Sequence, residues 1–130
     1  MPAEIFGDKY EFLPRQEILS FEEIERLVRV FVQLGPLKLR ITGGEPLLRK
    51  DLEEIADYGA SRGATIVVGS NGTGLTDTRI RSLRDAGVTG VAVSVDSLLP
   101  ERHNTFRHGK SALEQTTAAI ARMQQARMDF

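Results

Sequence analysis

The chain has 130 residues, enough for one domain that buries roughly two-thirds of the surface its unfolded form exposes. Lys and Arg number 17 against 18 Asp and Glu, and the resulting charge of -1 gives no electrostatic case for bulk nucleic-acid or anionic-membrane binding. The absence of cysteine excludes a disulfide framework, a nucleophilic thiol and a thiolate metal site made by these residues. No apolar run approaches the roughly 20 residues of a membrane span, and "MPAEIFGDKY" lacks a secretory pattern, so the chain is read as cytoplasmic.

In chain order, Ser20 with Glu23 forms a capping-box pattern, and Ile24, Leu27, Val28 and Phe31 recur at helical spacing until Gly35-Pro36. Asp51 with Glu54 opens a second helix carrying Leu52, Ile55 and Ala56 on one face before Gly63. A third runs from about Thr76 through Ile80 and Leu83 to Gly87. Ser111 with Glu114 repeats the capping-box pattern and starts a fourth, with Leu113, Thr117 and Ile120 on one side. Three strand-like runs, "LKLRIT", "TIVVGS" and "GVAVSVD", lie between the helices. Strands alternating with helices imply right-handed crossovers and a parallel sheet, so the fold class is α/β.

Within the strands, alternation separates two faces. Leu37, Leu39 and Ile41 share one, while Lys38, Arg40 and Thr42 share the other; Val91, Val93 and Val95 alternate with Ala92, Ser94 and Asp96. A doubly wound sheet favours apolar residues on both faces, whereas one apolar and one small, polar or basic face suits a barrel or part-barrel lining a ligand cavity. The competing reading is an edge strand protected by Lys38 and Arg40.

The strand C-terminal ends carry Thr42-Gly43-Gly44-Glu45, Gly69-Ser70-Asn71-Gly72 and Ser94-Val95-Asp96-Ser97, and parallel α/β folds bind ligands at that edge. Taken singly, each has an ordinary explanation: a strand-to-helix turn with a solvated Glu, an Asn-Gly turn, an Asp capping the next segment of chain. Together they offer glycine backbone, hydroxyls, an amide and two carboxylates to one small polar ligand.

The extended string "MPAE", "FLPRQEILSFEEIERLVRVFVQLG", "KLRITGGEPLLRKDL", "SNG" and "AGVTGVAVSVDSL" resembles the radical S-adenosylmethionine superfamily. More narrowly it resembles the GTP 3′,8-cyclases of molybdenum-cofactor biosynthesis. The resemblance implies a partial (β/α) TIM-like barrel over residues 1–130, lacking its first strand. It also implies S-adenosylmethionine binding through Gly43, Gly44 and Glu45, with Glu45 facing the methionine amino group. Ser70, Asn71 and Ser94 are the matching cofactor-binding positions, and Lys38 and Arg40 match the basic residues that contact GTP. An anionic triphosphate suits an Arg fork and a Lys point charge. No catalytic residue and no metal ligand is assigned.

The chain departs from that pattern in three places. Where the family reads Thr-Thr-Asn-Gly, it has Gly69-Ser70-Asn71-Gly72, so the first hydroxyl is lost. The segment "LLPERHNTFRHGKSALEQTTAAI" resembles peptide- and haem-modifying radical enzymes as well as the cyclases, and its His103 and His108 are read as surface residues of a polar loop. The family's 4Fe-4S cluster needs a Cys-x3-Cys-x2-Cys loop that in the cyclases ends in Cys-Met-Pro-Ala-Glu, and this chain begins Met1-Pro2-Ala3-Glu4. The expectation is a truncated piece of a radical enzyme, inactive alone and prone to self-association. The alternatives are a fragment of a peptide- or haem-modifying enzyme and a non-catalytic α/β binding domain.

Overall fold

The computed structural model describes residues 13–130, and the Met1–Glu4 match to the cluster loop lies outside them. A short 3-10 turn at Arg15–Glu17 leads into α1 (Phe21–Val32), whose start is fixed by a complete capping box. The Ser20 hydroxyl accepts the Glu23 N–H at 3.2 Å, and Glu23 Oε2 accepts the Ser20 N–H at 2.8 Å. The chain continues through β1 (Lys38–Ile41), α2 (Leu52–Ser61), β2 (Thr65–Ser70), α3 (Asp77–Asp85), β3 (Val88–Val93), α4 (Pro100–Arg107) and α5 (Ala112–Gln125). Thr76 caps α3 by accepting the Arg79 N–H, and Gly87 ends the turn after it at a φ of 84°.

The strands are parallel and lie in sequence order, β1-β2-β3. A doubly wound sheet reverses its strand order at a switch point and a barrel does not; no reversal occurs among these three strands, which is the progression a (β/α) barrel requires. Beyond α5, Asp129 bridges Gly90 in parallel and its carbonyl accepts the Val91 N–H at 2.9 Å, which continues the same progression on the far side of β3. The result is an open, partial (β/α) sheet.

The core lies on one face of that sheet. Ile66 and Val68 of β2, with Val88 and Val91 of β3, pack against Leu52 and Ala56 of α2, Ile80 and Leu83 of α3, and Ala119 and Met123 of α5. Leu37, Leu39 and Ile41 join the cluster partly buried, as the alternation predicts. A register shift between Ile66 and Val67 keeps the apolar residues of β2 and β3 on a common side, pairing Val68 with Val91 and Ser70 with Val93. The opposite face, with Lys38, Arg40, Val67, Gly69 and Ala92, carries no helix among the described residues.

Several sequence-derived expectations need correction. Residues 100–107, read as polar loop, form α4: Pro100 stands in the first turn, Glu101 follows it, and His108 closes the helix in the left-handed region at φ 54°. The Ser111 capping box does not form. The Ser111 hydroxyl takes no backbone N–H and accepts instead from Gln115 Nε2 at 3.0 Å, while Asn104 Oδ1 caps the first turn by accepting the Leu113 N–H at 2.9 Å. The buried face of α5 runs through Leu113, Thr116, Ala119 and Met123, and Thr117 is exposed with its hydroxyl turned back onto the Leu113 carbonyl. On α1 only Val28 is buried, while Leu27 and Phe31 remain 44% and 50% exposed.

Candidate functional site

The C-terminal ends of β1 and β2 are joined by one carboxylate. After β1, Gly43 and Gly44 carry the backbone out to Glu45, which caps a 3-10 turn at Pro46–Leu48 by accepting the Leu47 N–H at 3.2 Å. The same oxygen, Oε1, accepts the Ser70 hydroxyl at 2.8 Å, and Oε2 accepts the Asn71 N–H at 2.9 Å. A carboxylate has about four acceptor sites, so three are filled and one on Oε2 stays open. Gly43 is exposed, and a Cβ built there would meet nothing within 4 Å, leaving that stretch of backbone accessible to a ligand.

Ser70 makes this brace possible. It is 3% exposed, donates to Glu45 and accepts the Gly72 N–H at 2.9 Å, so both capacities of its hydroxyl are used inside the turn. Gly72 holds the turn at a φ of 85°. The Asn71 Oδ1 is engaged locally, accepting the Thr73 N–H and the Thr73 hydroxyl at 2.9 and 2.7 Å, so Asn71 reaches Glu45 through its backbone alone. From behind, buried Thr116 of α5 donates to the Asn71 carbonyl at 3.0 Å. Sequence reasoning missed Thr116 because it set the α5 face one residue out of phase.

Lys38 and Arg40 both lie on the uncovered face of β1 and are exposed, as the alternation predicts. Neither makes an ion pair or side-chain hydrogen bond among the described residues. At about 3.3 Å per residue, Lys38 sits roughly 13 Å below Thr42 along the strand. Lys38 is therefore remote from Glu45, whereas the Arg40 guanidinium reaches the level of Gly69 and Thr42. Ser94 follows β3 on the same face; its N–H donates to the Ser70 carbonyl at 3.1 Å and its side chain is exposed.

The third strand end does not join this set as expected. Arg107 Nε donates to Asp96 Oδ2 at 2.5 Å, and the Asp96 N–H donates to His103 Nδ1 at 3.3 Å. Asp96 thus fastens α4 to the end of β3 instead of offering a free carboxylate. His103, read from sequence as a surface residue, is 1% exposed, whereas His108 is exposed as expected. A cavity of about 150 Å³ lies beside this junction, bordered by Asn71, Thr73, His103 and Lys110.

The strand ends thus carry a braced carboxylate acceptor at Glu45, with the exposed Arg40 and Lys38 on the open face of β1. Comparison with known proteins identifies the family. The sequence profile of the radical SAM superfamily matches residues 5–130. The chain belongs to that superfamily. It is 41% identical over 128 residues to the GTP 3′,8-cyclase of Acidothermus cellulolyticus, covering 97% of this chain and 35% of that protein. It is 43% identical over 131 residues to the enzyme of the same name from Staphylococcus carnosus, covering 93% and 37%. A third, from Aquifex aeolicus, is 41% identical over 118 residues, covering 89% and 37%. The chain thus spans just over a third of the length of these relatives. Superfamily members carry S-adenosylmethionine and a 4Fe-4S cluster. The 130 residues hold no cysteine, and no group of three or more His, Cys, Asp or Glu side chains is placed to hold a metal among the described residues, so these residues do not fit the cluster. For S-adenosylmethionine the fit is better: an open carboxylate acceptor beside accessible glycine backbone suits an ammonium group. No helix among the described residues is long and apolar enough to cross a membrane.

Proposed function

We propose that residues 1–130 form part of the core domain of a radical S-adenosylmethionine enzyme of the GTP 3′,8-cyclase kind. In this reading the strand ends hold the cofactor and the open face of β1 holds the nucleotide. The carrying observation is the geometry of Glu45, whose carboxylate is fixed by Ser70, Asn71 and Leu47 with one acceptor site left open by the described residues. That site takes the cofactor's ammonium group, Gly43 and Gly44 give the methionyl moiety access to backbone, and Ser94 supplies a hydroxyl on the neighbouring strand end. When bound together with the cluster, S-adenosylmethionine supplies an adenosyl radical. The part played by these residues is to bind and orient. Lys38 and Arg40, with no protein partner among the described residues, hold phosphates of GTP.

The test is a pair of titrations on the isotope-labelled chain, following backbone amides by NMR so that weak binding is read. S-adenosylmethionine is expected to shift Gly43, Gly44, Glu45, Asn71 and Ser94, and GTP to shift Lys38 to Thr42. If GTP leaves β1 unmoved while the cofactor shifts the strand ends, the nucleotide assignment gives way to a peptide- or haem-modifying enzyme. If neither ligand moves these residues, the site assignment fails and a non-catalytic α/β domain takes its place.

A further inference from the structure

Glycine inside a strand costs conformational entropy and leaves no side chain to pack, so it needs a reason. At Gly69 the reason is not backbone conformation, since its φ lies outside the left-handed region occupied by Gly63, Gly72 and Gly87. It is space. A Cβ at position 69 would stand 3.3 Å from both Nε and Nη2 of Arg40 and 3.4 Å from Thr42 Oγ1. Arg40 is paired across the sheet with Val67, two residues before Gly69. Its side chain therefore runs along the sheet towards the C-terminal edge and brings the guanidinium over Gly69. An exposed arginine with no ion pair among the described residues would otherwise be free to extend into solvent, and the bare glycine is what lets it lie down.

We propose that Gly69 is a positioning residue: it seats the Arg40 guanidinium low against the sheet, on the Glu45 side of β1, and so sets the depth and direction in which a phosphate is gripped. The inference rests on the nucleotide reading for its ligand but not for its geometry. A β-carbon at 69 needs the guanidinium to give way by a few tenths of an ångström, which a flexible side-chain end can do. A branched side chain removes the seat. The lost hydroxyl at this position is therefore a gained space. It distinguishes this chain's anion grip from one in which Arg40 must stand away from the sheet.

The experiment measures binding of inorganic tripolyphosphate and of GTP to the chain by calorimetry for Gly69→Ala, Gly69→Thr, Arg40→Ala and the double variant Arg40→Ala/Gly69→Thr. Loss of one charge-assisted Arg–phosphate contact should make Arg40→Ala bind about 10-fold more weakly or worse. Gly69→Thr should approach that loss and Gly69→Ala fall between, while Gly69→Thr should add less than about 2-fold in the Arg40→Ala background, because coupled residues are not additive. A second readout needs no ligand: nuclear Overhauser contacts from the Arg40 side chain to the Gly69 α-protons should be present in the parent chain and absent in Gly69→Thr. Should Gly69→Thr fail to fold, Gly69→Ala carries the same comparison. If Arg40→Ala weakens binding and Gly69→Thr does not, the seating role is overturned and the nucleotide reading stands. If Arg40→Ala binds as tightly as the parent while the contacts to Gly69 are seen, the nucleotide reading is overturned and the seat is confirmed. Absence of those contacts from the parent chain overturns the seat outright.

Discussion

Replacing Glu45 by Gln changes one oxygen to an NH2 group and leaves shape almost untouched, yet the structure makes it costly before any ligand is added. Three donors converge on the carboxylate: Leu47 N–H and Ser70 Oγ on one oxygen, Asn71 N–H on the other. In either flip state, Gln must point its NH2 at a backbone N–H, at Asn71 or at Leu47. One charge-assisted hydrogen bond is lost and the remainder become neutral. A hydrogen bond to a charged group contributes about 1.5–3 kcal/mol, so Glu45→Gln is expected to destabilise the chain by about 2 kcal/mol. For a chain of this size that lowers the melting midpoint by about 7 °C. Urea unfolding followed by circular dichroism reads it as a shifted midpoint at unchanged slope. Ser70→Ala should cost a similar amount, since it removes the donor to Glu45 and strands the Gly72 N–H, and the two substitutions should be strongly non-additive. A Glu45→Gln variant within about 0.5 kcal/mol of the parent would refute the brace and return Glu45 to a solvated turn.

Anaerobic reconstitution of the chain with iron and sulfide should yield no stoichiometric 4Fe-4S absorbance, because the 130 residues contain no thiolate; stoichiometric incorporation would contradict this. Gly87→Ala should destabilise by about 2 kcal/mol or more, since φ there is 84° and the new Cβ would fall 2.5 Å from that of Ala60; a neutral effect in thermal melts would contradict the close packing of α2 against the turn after α3. The chain is expected to self-associate at micromolar concentration through α1, and Leu27→Glu with Phe31→Glu should shift sedimentation towards monomer. A parent chain that sediments as a monomer would refute the α1 contact.

What could be read from the sequence was what local chemistry settles. The Ser20 and Glu23 side chains are three residues apart and close a box on each other's backbone, so the α1 start was visible; Ser111 and Glu114 have the same spacing, but the Ser111 hydroxyl accepts from Gln115 and the first turn of α5 is capped by Asn104, seven residues before Ser111. The faces of β1 were visible because alternation is a strict period of two, and a helix face was harder: a one-residue phase error exchanged buried Thr116 for exposed Thr117. His103 illustrates the limit differently. Its chain neighbours Arg102 and Asn104 are polar, and its burial arises only once α4 packs beside α5 and is tied to the end of β3 by Arg107 and Asp96. Gly69 could be seen as a missing hydroxyl but not as a seat, because the atoms that fill the space belong to another strand.

The distribution of charge along β1 constrains how a ligand pair can lie. Glu45 is at the rim, with one acceptor site left open by the described residues; the Arg40 guanidinium lies beside Gly69 just below, and Lys38 is two residues further down the same face. At the β2 end the polar groups of Ser70 are already consumed, and at the β3 end Asp96 is held by Arg107, so neither competes with Arg40 for an anion or with Glu45 for a cation. An ammonium group placed low on this face would meet two cations, and a phosphate placed at the rim would meet a carboxylate. Either inversion brings like charges together with little protein in between to screen them. The ligand order that avoids this has the amine at the strand ends and the phosphates deeper along β1. On the function proposed above, a cofactor amine and nucleotide phosphates placed in that order would share the open face without either meeting like charge.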